Sequence, residues 1–184
     1  MSVIATPPEP VQVIKRRRDA ALAALVSSVP YIAFLGITFA RCGNELTFTL
    51  PYDDSHIGNP AGPALHGGVT AGFLEASAIV ELAWSQLWFE VEEGRVTPAA
   101  LAEGFLPRLP ETIDMTVDYL RSGLPRDAYA RARIVRSGRR YASVRVEAWQ
   151  DDRDRPFAQA TGHFLMPASD PAPAPDPAPA ADRG

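Results

Sequence analysis

The chain has 184 residues, 46% of them apolar, and a net charge of −4, which is length and apolar content enough for one domain with a buried core. The acidic balance argues against a nucleic-acid partner held by a general positive field. The single cysteine, Cys42, cannot form an intrachain disulfide and no Cys/His cluster has zinc-like spacing, so the simplest reading is a cytoplasmic protein whose site needs neither metal nor cofactor.

Residues 1–10 hold three prolines and read as a loose N-terminus. From Val11 to Val29, Ala and Leu follow a charged start, the pattern of a peripheral amphipathic helix. Lys15-Arg16-Arg17-Arg18 followed by a mostly apolar stretch imitates a secretion signal. Ser27, Ser28, Pro30 and Gly36 interrupt that stretch, however, and Arg41 is too bulky for the small residue at a cleavage site. A membrane span fails as well, because it needs about 20 apolar residues and Pro30 sits mid-run.

Next comes a β-hairpin. Ile37 and Phe39 alternate with Thr38, Leu46, Phe48 and Leu50 alternate with Thr47 and Thr49, and Cys42-Gly43-Asn44 supplies the turn. A Pro/Gly-rich loop, Pro51 to Pro63, leads into a helix from His66 to about Glu90 that is apolar on most sides and therefore buried. Thr97 to Leu106 reads as a shorter helix, stopped by Pro107 and Pro110.

Four strands follow. Their inward residues are Ile113, Met115, Val117 and Tyr119; then Ala130, Ala132 and Ile134; then Ala142, Val144, Val146 and Ala148; then Ala158, Ala160, Gly162 and Phe164. Such small inner faces leave room for the buried helix. The spacing predicts an α+β domain over residues 11–166, one antiparallel sheet wrapped around one long helix, with a disordered Pro/Ala-rich tail over 167–184.

The segment that can carry chemistry runs from Asn59 through His66-Gly67-Gly68 to Glu75. Two glycines at a helix start expose backbone N–H groups at the positive end of the helix dipole, where an oxyanion or a thioester carbonyl is favoured. Glu75 puts a carboxylate into an apolar helix, which costs free energy unless the acid has a partner or a task, or unless it simply faces solvent. Glu81 lies six positions on, about 240° around the helix, so the two acids cannot share a face. His66 is either a hydrogen-bonding group that holds the helix start or a participant in catalysis, and Asn59 in a Gly/Pro loop fits a turn former. His56 and His163 read as structural, and Arg136-Ser137-Gly138-Arg139-Arg140 as a hairpin turn with solvated cations or a phosphate clamp.

Taken together, Asn59, Leu65-His66-Gly67-Gly68, Glu75, Val117-Asp118-Tyr119-Leu120-Arg121 and Val135-Arg136-Ser137-Gly138-Arg139-Arg140 resemble the PaaI-type and 4-hydroxybenzoyl-CoA-type hotdog thioesterases over residues 36–166. The resemblance implies the hotdog fold and hydrolysis of an acyl-CoA. It also implies a homodimer whose sheets join edge to edge, commonly doubled to a homotetramer, with each site built from two subunits. It assigns the Gly67 N–H to the thioester carbonyl, with Gly68 beside it, and Glu75 of the facing subunit as nucleophile or general base. Asn59 would orient water or substrate, His66 would hold the loop or assist at the carbonyl, and Arg121, Arg139 and Arg140 would meet the CoA phosphates. Many relatives carry Asp at the position of Glu75, and the stretch Trp84–Leu109 is longer than usual. Two other readings are a non-catalytic acyl-CoA-binding hotdog module and a hotdog hydratase or dehydratase. The second fits less well, since the helix opens with Gly-Gly and His56 lies nineteen positions before Glu75.

Overall fold

A computed structural model describes residues 9–97, 99–100, 103 and 108–167. Most of the expected 97–106 helix and nearly all of the two expected loose termini lie outside the described residues. The elements in order are helices α1 (Val11–Ser27) and α2 (Pro30–Phe34), strands β1 (Thr38–Cys42) and β2 (Glu45–Leu50), and helix α3 (Gly67–Glu92). Strands β3 (Glu111–Tyr119), β4 (Ala128–Ser137), β5 (Tyr141–Trp149) and β6 (Ala158–Leu165) complete the fold.

The helix expected to reach Val29 ends at Ser27, where Ser27 and Ser28 hydroxyls bond back to the carbonyls of Ala24 and Leu25 and Pro30 opens α2 as its first residue. Gly36, at φ +66, then turns the chain out of α2, with Ile37 N–H returning to the Ile32 carbonyl; β1 accordingly starts at Thr38, one residue after the first alternating residue, Ile37. The β1–β2 hairpin closes at Cys42↔Glu45 through Gly43 (φ +62) and Asn44.

All six strands form one antiparallel sheet in the order β1-β2-β4-β5-β6-β3. The sheet wraps the 26-residue α3, whose Phe73, Leu74 and Leu82 are fully buried. Fully buried Ala128, Ala130, Ala148 and Ala158 let the helix approach the strands closely. Helix α1 covers the far half of α3: Arg18 pairs with Glu92 at 2.8 Å and lies over the Trp88 ring at 5.1 Å, while Asp19 pairs with Arg41 of β1. Arg18 and Asp19 thus anchor α1 to its neighbours. Among the described residues no helix is long and apolar enough to cross a membrane.

One strand departs from simple alternation. The β3–β6 register slips between Thr112 and Asp114, so Ile113 is an extra residue that bulges outward, 53% exposed, and Thr112 turns inward. Tyr119, expected on the buried face, is 55% exposed at the other end of the strand. Among the described residues strand β3 pairs only with β6, and its second edge, nine residues long, carries no partner.

Candidate active site

The start of α3 is held from three sides. His66 is its N-cap, and its ring Nδ1 accepts the Gly68 N–H at 2.9 Å while its carbonyl accepts the Thr70 N–H at 3.0 Å. Its own N–H donates to the His56 carbonyl at 2.8 Å, and the loop between them closes through the Ile57↔Leu65 bridge. The third support is Tyr119 of β3, whose hydroxyl donates to the Gly67 carbonyl at 2.9 Å.

These contacts decide which helix-start N–H groups remain open. The Gly68 N–H, expected beside the Gly67 N–H at the substrate carbonyl, donates to the His66 ring and so caps the helix start in this structure. The Gly67 N–H meets no acceptor among the described residues. Gly67 lines a cavity of about 470 Å³ together with Thr70, Tyr119, Arg121, Gly123 and Phe157. An N–H left without an acceptor at the positive end of a helix dipole is suited to bind developing negative charge.

Glu75 is half-buried two turns along α3. Its Oε1 accepts a hydrogen bond of 2.6 Å from the Thr112 hydroxyl, the inward residue that the β3 bulge creates. Thr112 and Tyr119 both escape a reading of the sequence, because strict alternation from Ile113 puts Thr112 on the outer face and Tyr119 in the core. The only hint is the polar Thr at the strand start beside an apolar run.

The remaining candidates are scattered. Asn59 is exposed and its Oδ1 accepts the Ala61 N–H at 3.0 Å, an Asx turn that holds the loop and lies outside the Gly67 cavity. Arg121 lines the Gly67 cavity, and one of its N–H groups donates to the Pro156 carbonyl. Arg139 and Arg140 line a separate cavity of about 600 Å³ with Tyr141, Ser143 and His163, at the opposite end of the sheet: Tyr141 is level with Leu165 and Glu111, whereas Tyr119 is level with Ala158. His163 lies beside Asp114 at 2.9 Å on the outer face, and His56 is 6% exposed beneath the α3 start, its Nδ1 without a partner among the described residues.

Glu81 occupies different surroundings, as its angular separation from Glu75 requires. Its carboxyl is half-buried, and burial, with the nearby Glu45 as the smaller cause, pushes its pKa up to about 7.

Within one chain the groups do not converge. Glu75 lies eight helical steps after Gly67, about 12 Å along the axis, so one carbonyl carbon cannot touch both.

The family model for the acyl-CoA thioesterase N-terminal domain matches residues 56–165. No curated protein matches the sequence. Among solved structures, a protein of Chromobacterium violaceum is 34% identical, with 85% of this chain and 98% of that chain covered and a TM-score of 0.57. A Shewanella oneidensis protein related to the thioesterase superfamily is 26% identical, with 87% and 100% covered and a TM-score of 0.61. A phenylacetic acid degradation-related protein of Ralstonia eutropha, 21% identical with 79% and 99% covered and a TM-score of 0.57, shares the fold.

Proposed function

Since the chain belongs to the acyl-CoA thioesterase domain family and has its hotdog fold, we propose that two copies share each active site, with Gly67 of one copy and Glu75 of the other acting on one thioester. Membership makes the chain a thioester hydrolase and acyl-CoA its substrate class. The shared site, the residue roles and the assembly are the proposal.

The observation that carries it is the pair of tethers on β3. Thr112 holds Glu75 and Tyr119 holds Gly67, seven positions apart on a strand whose outer edge has no partner among the described residues. An open strand edge pairs readily with its own copy, and a two-fold axis makes that pairing antiparallel. With the axis midway between Thr112 and Tyr119, the Thr112 end of one strand meets the Tyr119 end of the other. Glu75 of each copy is then delivered to the other copy's Gly67 N–H, and the exposed Tyr119 is covered. The same rotation carries Arg139 and Arg140 of one copy toward Arg121 of the other, so cations from both copies are available to the CoA phosphates. The dimer so formed is the minimal active unit, and doubling to a tetramer leaves the two sites unchanged.

In this arrangement the Gly67 N–H hydrogen-bonds the thioester oxygen and stabilises the charge that builds on it. Glu75 either takes a proton from the attacking water or attacks the carbonyl carbon itself. In the first case hydroxide adds, the C–S bond breaks and Glu75 returns its proton to the departing thiolate; in the second the C–S bond breaks to leave a mixed anhydride on Glu75, which a water then hydrolyses, so that its two protons balance the released thiol and acid. Thr112 fixes one carboxylate oxygen, leaving the other for the reaction. His66 and Asn59 hold the loop that presents Gly67.

Release of free thiol from a panel of acyl- and aryl-CoA esters tests the proposal. The parent turns over and Glu75→Gln loses about a hundredfold or more. An acyl-CoA-binding module binds the ester without releasing thiol, and equal rates for parent and variant contradict the assignment of Glu75.

A further inference from the structure

Helix α2 lays a ring on the face of α3 that carries Glu75. A Cβ at Gly72 would lie 2.6 Å from the Tyr31 hydroxyl oxygen and 3.0 Å from its Cε1, so the ring rests on the α3 backbone through a gap that only glycine leaves. Glu75 follows Gly72 by three residues, about 60° around the helix, and Ile79 continues the same stripe one turn further. Side chains of a helix lean toward its N-terminus, so the turn beneath the Glu75 carboxylate is the one that Gly72 opens to Tyr31. Strands β1 and β3 are the two ends of the sheet. Thr112 reaches Glu75 from β3, and Tyr31 reaches Gly72 from α2, the helix that leads through Gly36 into β1.

Two apolar surfaces lie uncovered there. Tyr31 is 49% and Phe34 79% exposed, and their rings stack at 6.1 Å with 20° between the planes. Buried Ile32 and Leu35 already tie this short helix to the core, so its packing does not need the two rings. Adjacent rings left in water cost free energy that an apolar ligand would recover.

We infer that Tyr31 and Phe34 receive the acyl group of the substrate and select an apolar one, aryl or medium-chain, over acetyl and over acyl groups that carry a charge. The inference rests on the reading that Glu75 acts at the thioester carbonyl. The carbon next to that carbonyl then lies close to Glu75, and the rise of three helical residues, about 4.5 Å, brings the following carbons to the Tyr31 ring. A second carboxylate on the acyl group would be set against two rings and near Glu75, without a partner and facing a like charge.

Two measurements test the inference: thiol release from hexanoyl-, benzoyl-, acetyl- and succinyl-CoA, and calorimetric binding of S-hexyl-CoA, a thioether that is not hydrolysed, against free CoA. The parent prefers the better of hexanoyl- and benzoyl-CoA to acetyl- and succinyl-CoA by about tenfold or more in kcat/KM, and binds S-hexyl-CoA about tenfold tighter than CoA. Tyr31→Ala and Phe34→Ala each reduce both preferences about fivefold or more, whereas Tyr31→Phe, which keeps the ring, retains them. Glu75→Gln keeps the preference for S-hexyl-CoA, so loss of turnover and loss of acyl selection are read separately. Equal hydrolysis by parent and Glu75→Gln sinks the reading of Glu75, while unaltered acyl preference in the two alanine variants sinks this inference alone. It is overturned as well if the parent favours acetyl- or succinyl-CoA, or if the alanine variants change only the dissociation of the dimer in sedimentation, which would put the rings in a contact between copies.

Discussion

The hydroxyl of Thr112 donates to Glu75 Oε1 across 2.6 Å, joining the first inward residue of β3 to the third turn of the buried helix. The bond exists because β3 bulges at Ile113; without the bulge Thr112 would point to the outer face. A hydrogen bond to a charged group is worth about 1.5–3 kcal/mol. Thr112→Val therefore lowers kcat about tenfold with little change in KM, while Thr112→Ser restores most of the rate. Steady-state kinetics of the two variants check this, and equal loss in both would show that the methyl packing matters and the hydroxyl does not.

The loop that presents Gly67 depends on a missing side chain. A Cβ at Gly58 would lie 2.9 Å from His66 Cδ2 and 3.1 Å from its Cα, and a backbone atom cannot swing aside. Gly58→Ala displaces His66 from its cap on Gly68, destabilises the fold by about 1–3 kcal/mol and lowers kcat about tenfold. Thermal unfolding and kinetics report the two effects. Unchanged values for both would mean that the loop is looser than its hydrogen bonds indicate.

Glu81 makes stability depend on pH with a defined sign. Its folded pKa of about 7 lies above the ordinary 4.5, so the folded protein binds more protons than the unfolded chain between those values. Stability from this group is complete below about pH 4.5 and is lost as pH rises through 7. At about 1.4 kcal/mol per pK unit, and allowing for partial exposure, the loss amounts to about 2 kcal/mol. Glu81→Gln removes it, so the variant is more stable than the parent at about pH 8 and close to it at about pH 4.5. Urea unfolding at both pH values provides the comparison; a parent more stable at the higher pH reverses the argument.

The legible parts of the fold were those with strong periodicity. The apolar run from Val69 to Trp84 could be little other than a buried helix, and the alanine-rich inner faces of β4, β5 and β6 announced its close approach. The hairpin turn at Gly43-Asn44 was equally plain. A bulge leaves almost no trace in sequence, since a single extra residue inverts a strand's faces without altering its composition. For that reason Thr112 and Tyr119, the two side chains that tether Glu75 and Gly67, were missed. The capping of Gly68 by the His66 ring was missed too, because the nearer of two adjacent N–H groups to a capping atom is a matter of geometry. The separation of Arg121 from Arg139 and Arg140 follows only from strand order.

The shared site is tested most directly by mixing two inactive variants. Gly67 is the first residue of α3 and His66 before it has φ −60 and ψ 136, a conformation that a following proline accepts, so Gly67→Pro removes the N–H with the helix start retained. Co-refolding Gly67→Pro with Glu75→Gln puts both lesions into one site of each mixed dimer and leaves the other site intact. Thiol release then returns to about a quarter of the parent rate, from random pairing and one good site per mixed dimer. A mixture no more active than the sum of its two parents would mean that Gly67 and Glu75 of one chain serve the same site, and the shared-site account would be wrong.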